Sequence, residues 1–210
     1  MLNGHSNAFA RLAAAALAVA VAVTTVPVQA ADKLTGRAVL EAVAKGGYVV
    51  FIRHTKTDDS QKDADVSDLT NCGTQRNLSQ EGKDQAKMIG DGFKKLGVQA
   101  DKVISSPYCR ALDTAMLMFG RGDKAPELSY LTRMKPEEAA AASAWLKKQL
   151  SAPPAPGKNN VLISHTANLK SGTGIWPKSA GDINVFKPNG DGTFTHVGTF
   201  TAAEWAALKG

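Results

Sequence analysis

Long apolar runs are scarce in this chain of 210 residues, and so are cysteines, of which there are two. The one uninterrupted apolar run, LAAAALAVAVAV over residues 12–23, follows a leader whose only full charge is Arg11. It is shorter than the roughly 20 residues a bilayer-crossing helix needs, and small residues at Val28-Gln29-Ala30 supply a cleavage site, so it reads as a cleaved export signal and not as an anchor. Residues 1–30 are therefore set apart as a signal peptide and residues 31–210 as one domain. That domain has about 180 residues, enough to bury a core without metal or several disulfides. No second run of this kind follows, so no membrane span is expected after cleavage, and the destination is periplasmic or secreted.

Charge is also undramatic. The formal net charge is +6 and falls to +5 once Arg11 is lost with the leader. No block of five or more basic residues occurs, which argues against nucleic acid as a partner, while a mild positive balance suits small anionic substrates. Two cysteines, Cys72 and Cys109, are too few and too far apart for a zinc knuckle. In an exported chain they are expected to form a disulfide, with two free thiols as the alternative. Among the four histidines, His5, His54, His165 and His196, no paired spacing suggests a metal site, and no cofactor is implied. No internal repeat is present.

What is present alternates. Gly47-Tyr48-Val49-Val50-Phe51-Ile52 is a β-branched, aromatic run and predicts a buried strand ending at Arg53-His54-Thr55. Residues 56–77 are polar, with five aspartates, and predict a long surface excursion of the kind that is functional or mobile. Ser79 is suited to cap a helix running to about Leu96, with Ala86, Ile89, Phe93 and Leu96 on one face and Gly97 as its stop. A strand follows at Lys102–Ser105, then a helix with Ser106-Pro107 as its cap and first turn. Pro136, Glu137 and Glu138 open a helix to about Leu150, and Asn160–Ser164 is the next strand. Two further segments, Asp182–Phe186 and Phe194–Phe200, predict an edge hairpin, followed by a short helix around residues 202–208. This order implies an α/β, three-layer domain: a mostly parallel central sheet, helices on both faces and a C-terminal edge hairpin.

In such sheets ligands gather where strands end and helices begin. One strand end carries Arg53 and His54, the next carries Ser105-Ser106 with Arg110 a turn into its helix, and the third carries His165. Two guanidinium groups match the oxygens of a phosphoryl group, and a neutral imidazole beside them is a competent nucleophile for phosphorus. His54 is the expected nucleophile, Arg53 and Arg110 the anion holders, and His165 a donor to the phosphoryl oxygens in the transition state. Lys56 and Arg76 lie close in sequence to these blocks and could touch substrate, but a solvated surface role is the preferred reading for each. His196 is read as structural.

These blocks resemble the histidine phosphatase superfamily, which includes the phosphoglycerate mutases. Arg53-His54-Thr55 after an apolar strand resembles its signature. Leu78–Ala86, Ser105–Ala111 with Thr114-Ala115, and Val161–His165 resemble its later blocks, in the same order, and together they cover residues 45–187. The resemblance implies an exported phosphomonoesterase working through a phosphohistidine on His54 and acting on a small phosphorylated substrate. Alternatives are a phosphohistidine-protein phosphatase of the same fold and a phosphate-binding module without turnover. Members supply the leaving-group proton from a carboxylate after the third strand or from an aspartate directly after the second histidine. Here Thr166 follows His165, leaving Glu127, Glu137, Glu138 and Asp182 as candidates. A Cys72–Cys109 bridge would pin the excursion beside the pocket.

Overall fold

The computed structural model describes residues 33–201 together with Met1, Ala203 and Glu204. The export signal assigned to residues 1–30, apart from Met1, and most of the terminal helix expected around 202–208 lie outside the described residues. Five helices and six strands are described: α1 Arg37–Lys45, β1 Val49–Arg53, α2 Gln80–Lys95, β2 Ala100–Ser105, α3 Cys109–Phe119, β3 Asp123–Lys124, α4 Pro136–Leu150, β4 Asn159–Ser164, α5 Thr166–Thr173, β5 Ile183–Pro188 and β6 Phe194–Phe200. Among the described residues no helix is long and apolar enough to cross a membrane.

The strands form one sheet in the order β3-β2-β4-β1-β5-β6. The first four run parallel, β1 against β4 with Val50 opposite Val161, while β5 and β6 return antiparallel as the hairpin at one edge. Alternation along β1 sorts side chains to the two faces, as a pleat of period two requires. Val50 and Ile52 join the core formed with Val39 and Val43 of α1, Ile89 and Phe93 of α2, and Ala111 and Ala115 of α3. Val49 and Phe51 join the opposite core, with Leu146 and Leu150 of α4 and Leu169 of α5. The sheet is thus sandwiched between helices, the three layers expected.

Local signals explain most boundaries. Ser79 caps α2 as expected, its Oγ accepting from the Gly82 N–H at 3.0 Å. Pro136 begins α4, and Glu138 accepts from the Lys135 N–H at 3.1 Å. Gly120 ends α3 in a left-handed conformation, φ 69°. One boundary differs from the sequence reading: α3 starts at Cys109 with Tyr108 as its cap residue, not at Ser106-Pro107. The Ser106 hydroxyl is engaged elsewhere, with the His165 ring, and its bond from the Tyr108 N–H at 3.3 Å shapes the turn before the helix. Helices α1 and α5 were not anticipated, because the first lies close behind the leader and the second has a weakly amphipathic sequence, TANLKSGT.

The excursion over residues 56–77 is irregular but closed. Its ends meet where Asp58 N–H donates to the Asn77 carbonyl at 3.0 Å. The aspartates that marked it as a loop make its turns: Asp58 accepts from Ser60, Asp65 from Ser67 and Asp68 from Thr70, each from the backbone N–H two residues on at 2.9 Å. Cys72 is bridged to Cys109, at the first position of α3.

Helices α2 and α3 approach closely at Gly90, where a Cβ would come within 2.7 Å of the Met118 carbonyl oxygen. Gly90→Ala is expected to destabilise the domain by about 1–3 kcal/mol through overpacking, despite the better helix propensity of alanine. Thermal unfolding should show a clearly lower Tm for this variant.

Candidate active site

Three parallel strands end side by side, and backbone hydrogen bonds tie their ends together. The His54 N–H donates to the Ser164 carbonyl at 3.0 Å, the Ser106 N–H to the Ile163 carbonyl at 2.9 Å, and the Arg53 N–H to the Asp182 carbonyl at 3.1 Å. The side chains expected to work together are thereby brought together. His54 is 5% exposed, His165 2% and Arg110 1%. The two imidazole rings stand edge to face with centroids 5.2 Å apart. Arg110 comes from the first turn of α3, and His165 is the residue on which α5 begins.

The hydrogen bonds of His54 decide its tautomer. Nδ1 lies 2.9 Å from the Thr55 carbonyl oxygen, which can only accept, so the ring proton sits on Nδ1 and the lone pair on Nε2. Burial pushes the His54 pKa down to about 3, with Arg110, Arg53 and Arg76 adding to the effect and the Thr55 carbonyl opposing it. Thr55 does more than shape a turn: its N–H and hydroxyl both meet the Thr114 hydroxyl at 3.2 Å, linking β1 to α3. His165 is held by Nε2 against the Ser106 hydroxyl at 2.9 Å. Burial, then the nearby His54, Arg110, Arg53 and Arg76, drives its pKa well below the ordinary histidine value. Its Nδ1 is buried without a partner.

Cationic groups surround these rings. Arg110 gives Nη1 to Asp63 at 2.9 Å, yet its Nε and the Nε of Arg53 are buried without partners. An unpaired buried donor is costly, and three of them in one pocket of concentrated positive charge fit an anion with several acceptor oxygens. For Arg76 the structure departs from the preferred reading of a solvated charge. It is half-buried, and its charge bears on Arg53, Arg110, His54 and His165. Its guanidinium makes no hydrogen bond or ion pair among the described residues. The folded-back excursion carries it there, a tertiary effect that local polarity does not reveal. Lys56 is the exposed charge expected, paired with Glu81 at 2.6 Å. His196 packs on Phe186 away from these groups, with centroids 5.1 Å apart, in a structural role.

Two tyrosines complete the wall and were not anticipated. Tyr108 lies edge-on to His165 at 5.2 Å and under the Arg110 guanidinium at 4.6 Å. Tyr130, from the loop between β3 and α4, sits 5.2 Å from the His165 ring. The Ser164 hydroxyl donates to the Leu128 carbonyl at 2.7 Å and the Asn168 amide to the Ser129 carbonyl at 2.8 Å, fixing that loop over the site. Aromatic residues in irregular segments carry no periodic signal, so only their places after β2 and after β3 could have pointed to them.

The carboxylates divide. Glu138 is engaged at the start of α4 and Glu137 is exposed on the same turn. Glu127 lies in the short helical turn Pro126–Leu128, half-buried. Asp182 is buried, accepts from the Ser179 N–H at 2.8 Å and opposes the charge of Arg53.

Replacing both cysteines by serine opens a closure of 37 residues. It should cost about 4 kcal/mol in the chain-entropy account, and the Tm and oxyanion affinity of the double variant should both fall. The pH dependence has a definite sign. In the fold both imidazoles are held neutral, while the unfolded chain takes up protons on them below about pH 6.5. Their contribution to stability is present above that pH and is lost as pH falls towards about 3, the folded value for His54. The Tm should therefore decline more steeply below pH 6.5 in the intact protein than in His54→Ala.

Residues 49–134 match the profile of the histidine phosphatase superfamily (branch 1). Agropine synthesis reductase of Rhizobium rhizogenes is 34% identical over 82 residues, which are 37% of this chain and 19% of that protein. The chain thus spans far less than the length of that relative. Among solved structures, a mycobacterial glucosyl-3-phosphoglycerate phosphatase complexed with inorganic phosphate superposes with a TM-score of 0.54, at 16% identity over 75% of this chain and 99% of that one. The protein histidine phosphatase SixA complexed with tungstate gives 0.51, at 17% identity over 74% and 97%. Phosphoserine phosphatase of Entamoeba histolytica complexed with 3-phosphoglyceric acid gives 0.52, at 17% identity over 75% and 98%. Residues 49–134 thus resemble the histidine phosphatase superfamily in sequence, and the domain shares its fold with these solved phosphatases.

Proposed function

We propose that the chain is an exported phosphomonoesterase that works through a phosphohistidine on His54. The observation that carries the proposal is the fixed tautomer of a buried, neutral His54, Nε2 unprotonated, beside unpaired guanidinium and imidazole nitrogens.

In the first step the Nε2 lone pair attacks phosphorus, the bond from phosphorus to the leaving oxygen breaks, and that oxygen departs with the electron pair. Arg53, Arg110 and Arg76 hold the phosphoryl oxygens by charge-assisted hydrogen bonds. Ser106 Oγ already accepts from the Tyr108 N–H, so giving its own proton to His165 Nε2 uses every group and leaves the His165 proton on Nδ1. From there it donates to an equatorial oxygen as charge shifts in the transition state. In the second step water attacks phosphorus, the nitrogen–phosphorus bond breaks, phosphate leaves and Nε2 recovers its lone pair. A weakly basic imidazole is a good leaving group here, so the low pKa that keeps His54 ready for attack also speeds its release.

A second reading, a phosphohistidine-protein phosphatase, is supported by the surroundings of the carboxylates. Asp63 is ion-paired with Arg110, and Asp182 accepts from the Ser179 N–H, so each carboxylate is already engaged in holding the protein together. Leaving groups that need no strong acid, such as imidazole or a phenolate, are favoured by such a pocket. Export and cleavage after Ala30 remain part of the proposal, and a disulfide between Cys72 and Cys109 accords with an oxidising compartment.

The test is hydrolysis of an activated aryl phosphate by the oxidised protein, compared with His54→Ala. Turnover by the intact protein should fall by at least about a thousandfold in the variant. Equal turnover would remove His54 from the chemistry, and absence of turnover with oxyanion still bound would favour a binding module.

A further inference from the structure

Asp63 has no part in the reaction just described, yet it is built into the pocket wall. Its side chain is 10% exposed against 1% for Arg110. One oxygen, Oδ1, accepts two hydrogen bonds, from Nη1 of Arg110 at 2.9 Å and from the backbone N–H of Arg76 at 2.9 Å. The same Nη1 lies 3.4 Å from the Arg76 carbonyl oxygen. One corner of the Arg110 guanidinium is thus saturated by the excursion, while its Nε remains buried and unpaired.

A guanidinium is a rigid planar fork, so fixing one corner fixes the direction of every other N–H. We propose that Asp63 is a positioning residue for phosphoryl binding: it grips Arg110 by Nη1, leaves the Nε edge for the substrate, and with the same oxygen locks the backbone that carries Arg76. The inference rests on the reading of this pocket as a phosphoryl site. Supporting contacts keep the grip in register. The Cys72–Cys109 bridge joins the excursion to the residue before Arg110. Gln75 accepts from the Cys109 N–H at 3.0 Å and donates back to the Leu69 carbonyl at 3.1 Å. The excursion is therefore mounted on the first turn of α3, the turn that supplies Arg110.

Two other roles give different signatures. A competitor would occupy the place of the phosphoryl group, and its loss would tighten anion binding. A proton donor would matter for alkyl and not aryl leaving groups, and would leave anion affinity untouched.

The experiment is calorimetric titration with inorganic phosphate, together with steady-state kinetics on an aryl and an alkyl phosphate, for the intact protein, Asp63→Ala and Asp63→Asn. Asp63→Ala should weaken phosphate binding and raise KM for both substrates by about 10–100-fold, with a smaller change in kcat. Asp63→Asn keeps an acceptor oxygen for Nη1 and should recover most of the loss. The inference is overturned if Asp63→Ala, folded by circular dichroism, binds phosphate as tightly as the intact protein or more tightly, if Asp63→Asn recovers none of the loss, or if only alkyl phosphate hydrolysis declines. Failure of the intact protein to bind phosphate would instead remove the pocket reading, and this inference with it.

Discussion

Two imidazoles sit neutral in a pocket whose other principal charges are guanidinium groups, and most of the architecture can be traced to keeping them so. Burial makes the protonated form of His54 expensive, and Arg110, Arg53 and Arg76 make it more so. An imidazole in water near neutral pH divides its time between a nucleophile and an inert cation. Here it is held as the nucleophile, with Nε2 chosen by the bond from Nδ1 to the Thr55 carbonyl. The cost is a cationic cluster with unpaired donors, which an anion with several oxygens would relieve.

Keeping that cluster assembled requires three strand ends and one long loop to agree in position. The strands supply the first requirement, because neighbouring parallel strands deliver His54 and His165 at the same carboxyl end of the sheet. The excursion supplies the second. Its turns are made by its own aspartates, its ends are closed by backbone bonds, and its disulfide fastens it to the helix that bears Arg110. Arg76 and Asp63 are thereby brought from the surface of the sequence to the wall of the pocket.

Much of this was legible without coordinates. The pleat of β1, the Ser79 cap, the proline start of α4 and the C-terminal hairpin all follow from local patterns that obey one dominant rule each. Arg53, His54, Arg110 and His165 were legible because strand-end position, not local environment, decides their meeting. Arg76, Asp63, Tyr108 and Tyr130 were obscured for the opposite reason. They lie in or beside irregular segments, and an arginine or aspartate among polar neighbours looks solvated until a tertiary fold-back places it. The start of α3 was displaced because the Ser106 hydroxyl, a suitable cap in isolation, is held by the ring of His165.

The central claim is that Nε2 of His54 carries the phosphoryl group. It is tested most directly by mixing the oxidised protein with an aryl phosphate, quenching within one turnover and mapping phosphorylated peptides under alkaline conditions that preserve nitrogen–phosphorus bonds. The account predicts an acid-labile phosphoryl group on His54 and none on His165. Phosphorylation of a different residue, or single-turnover release of phosphate with no phosphoenzyme under conditions in which its breakdown is slowed, would contradict it.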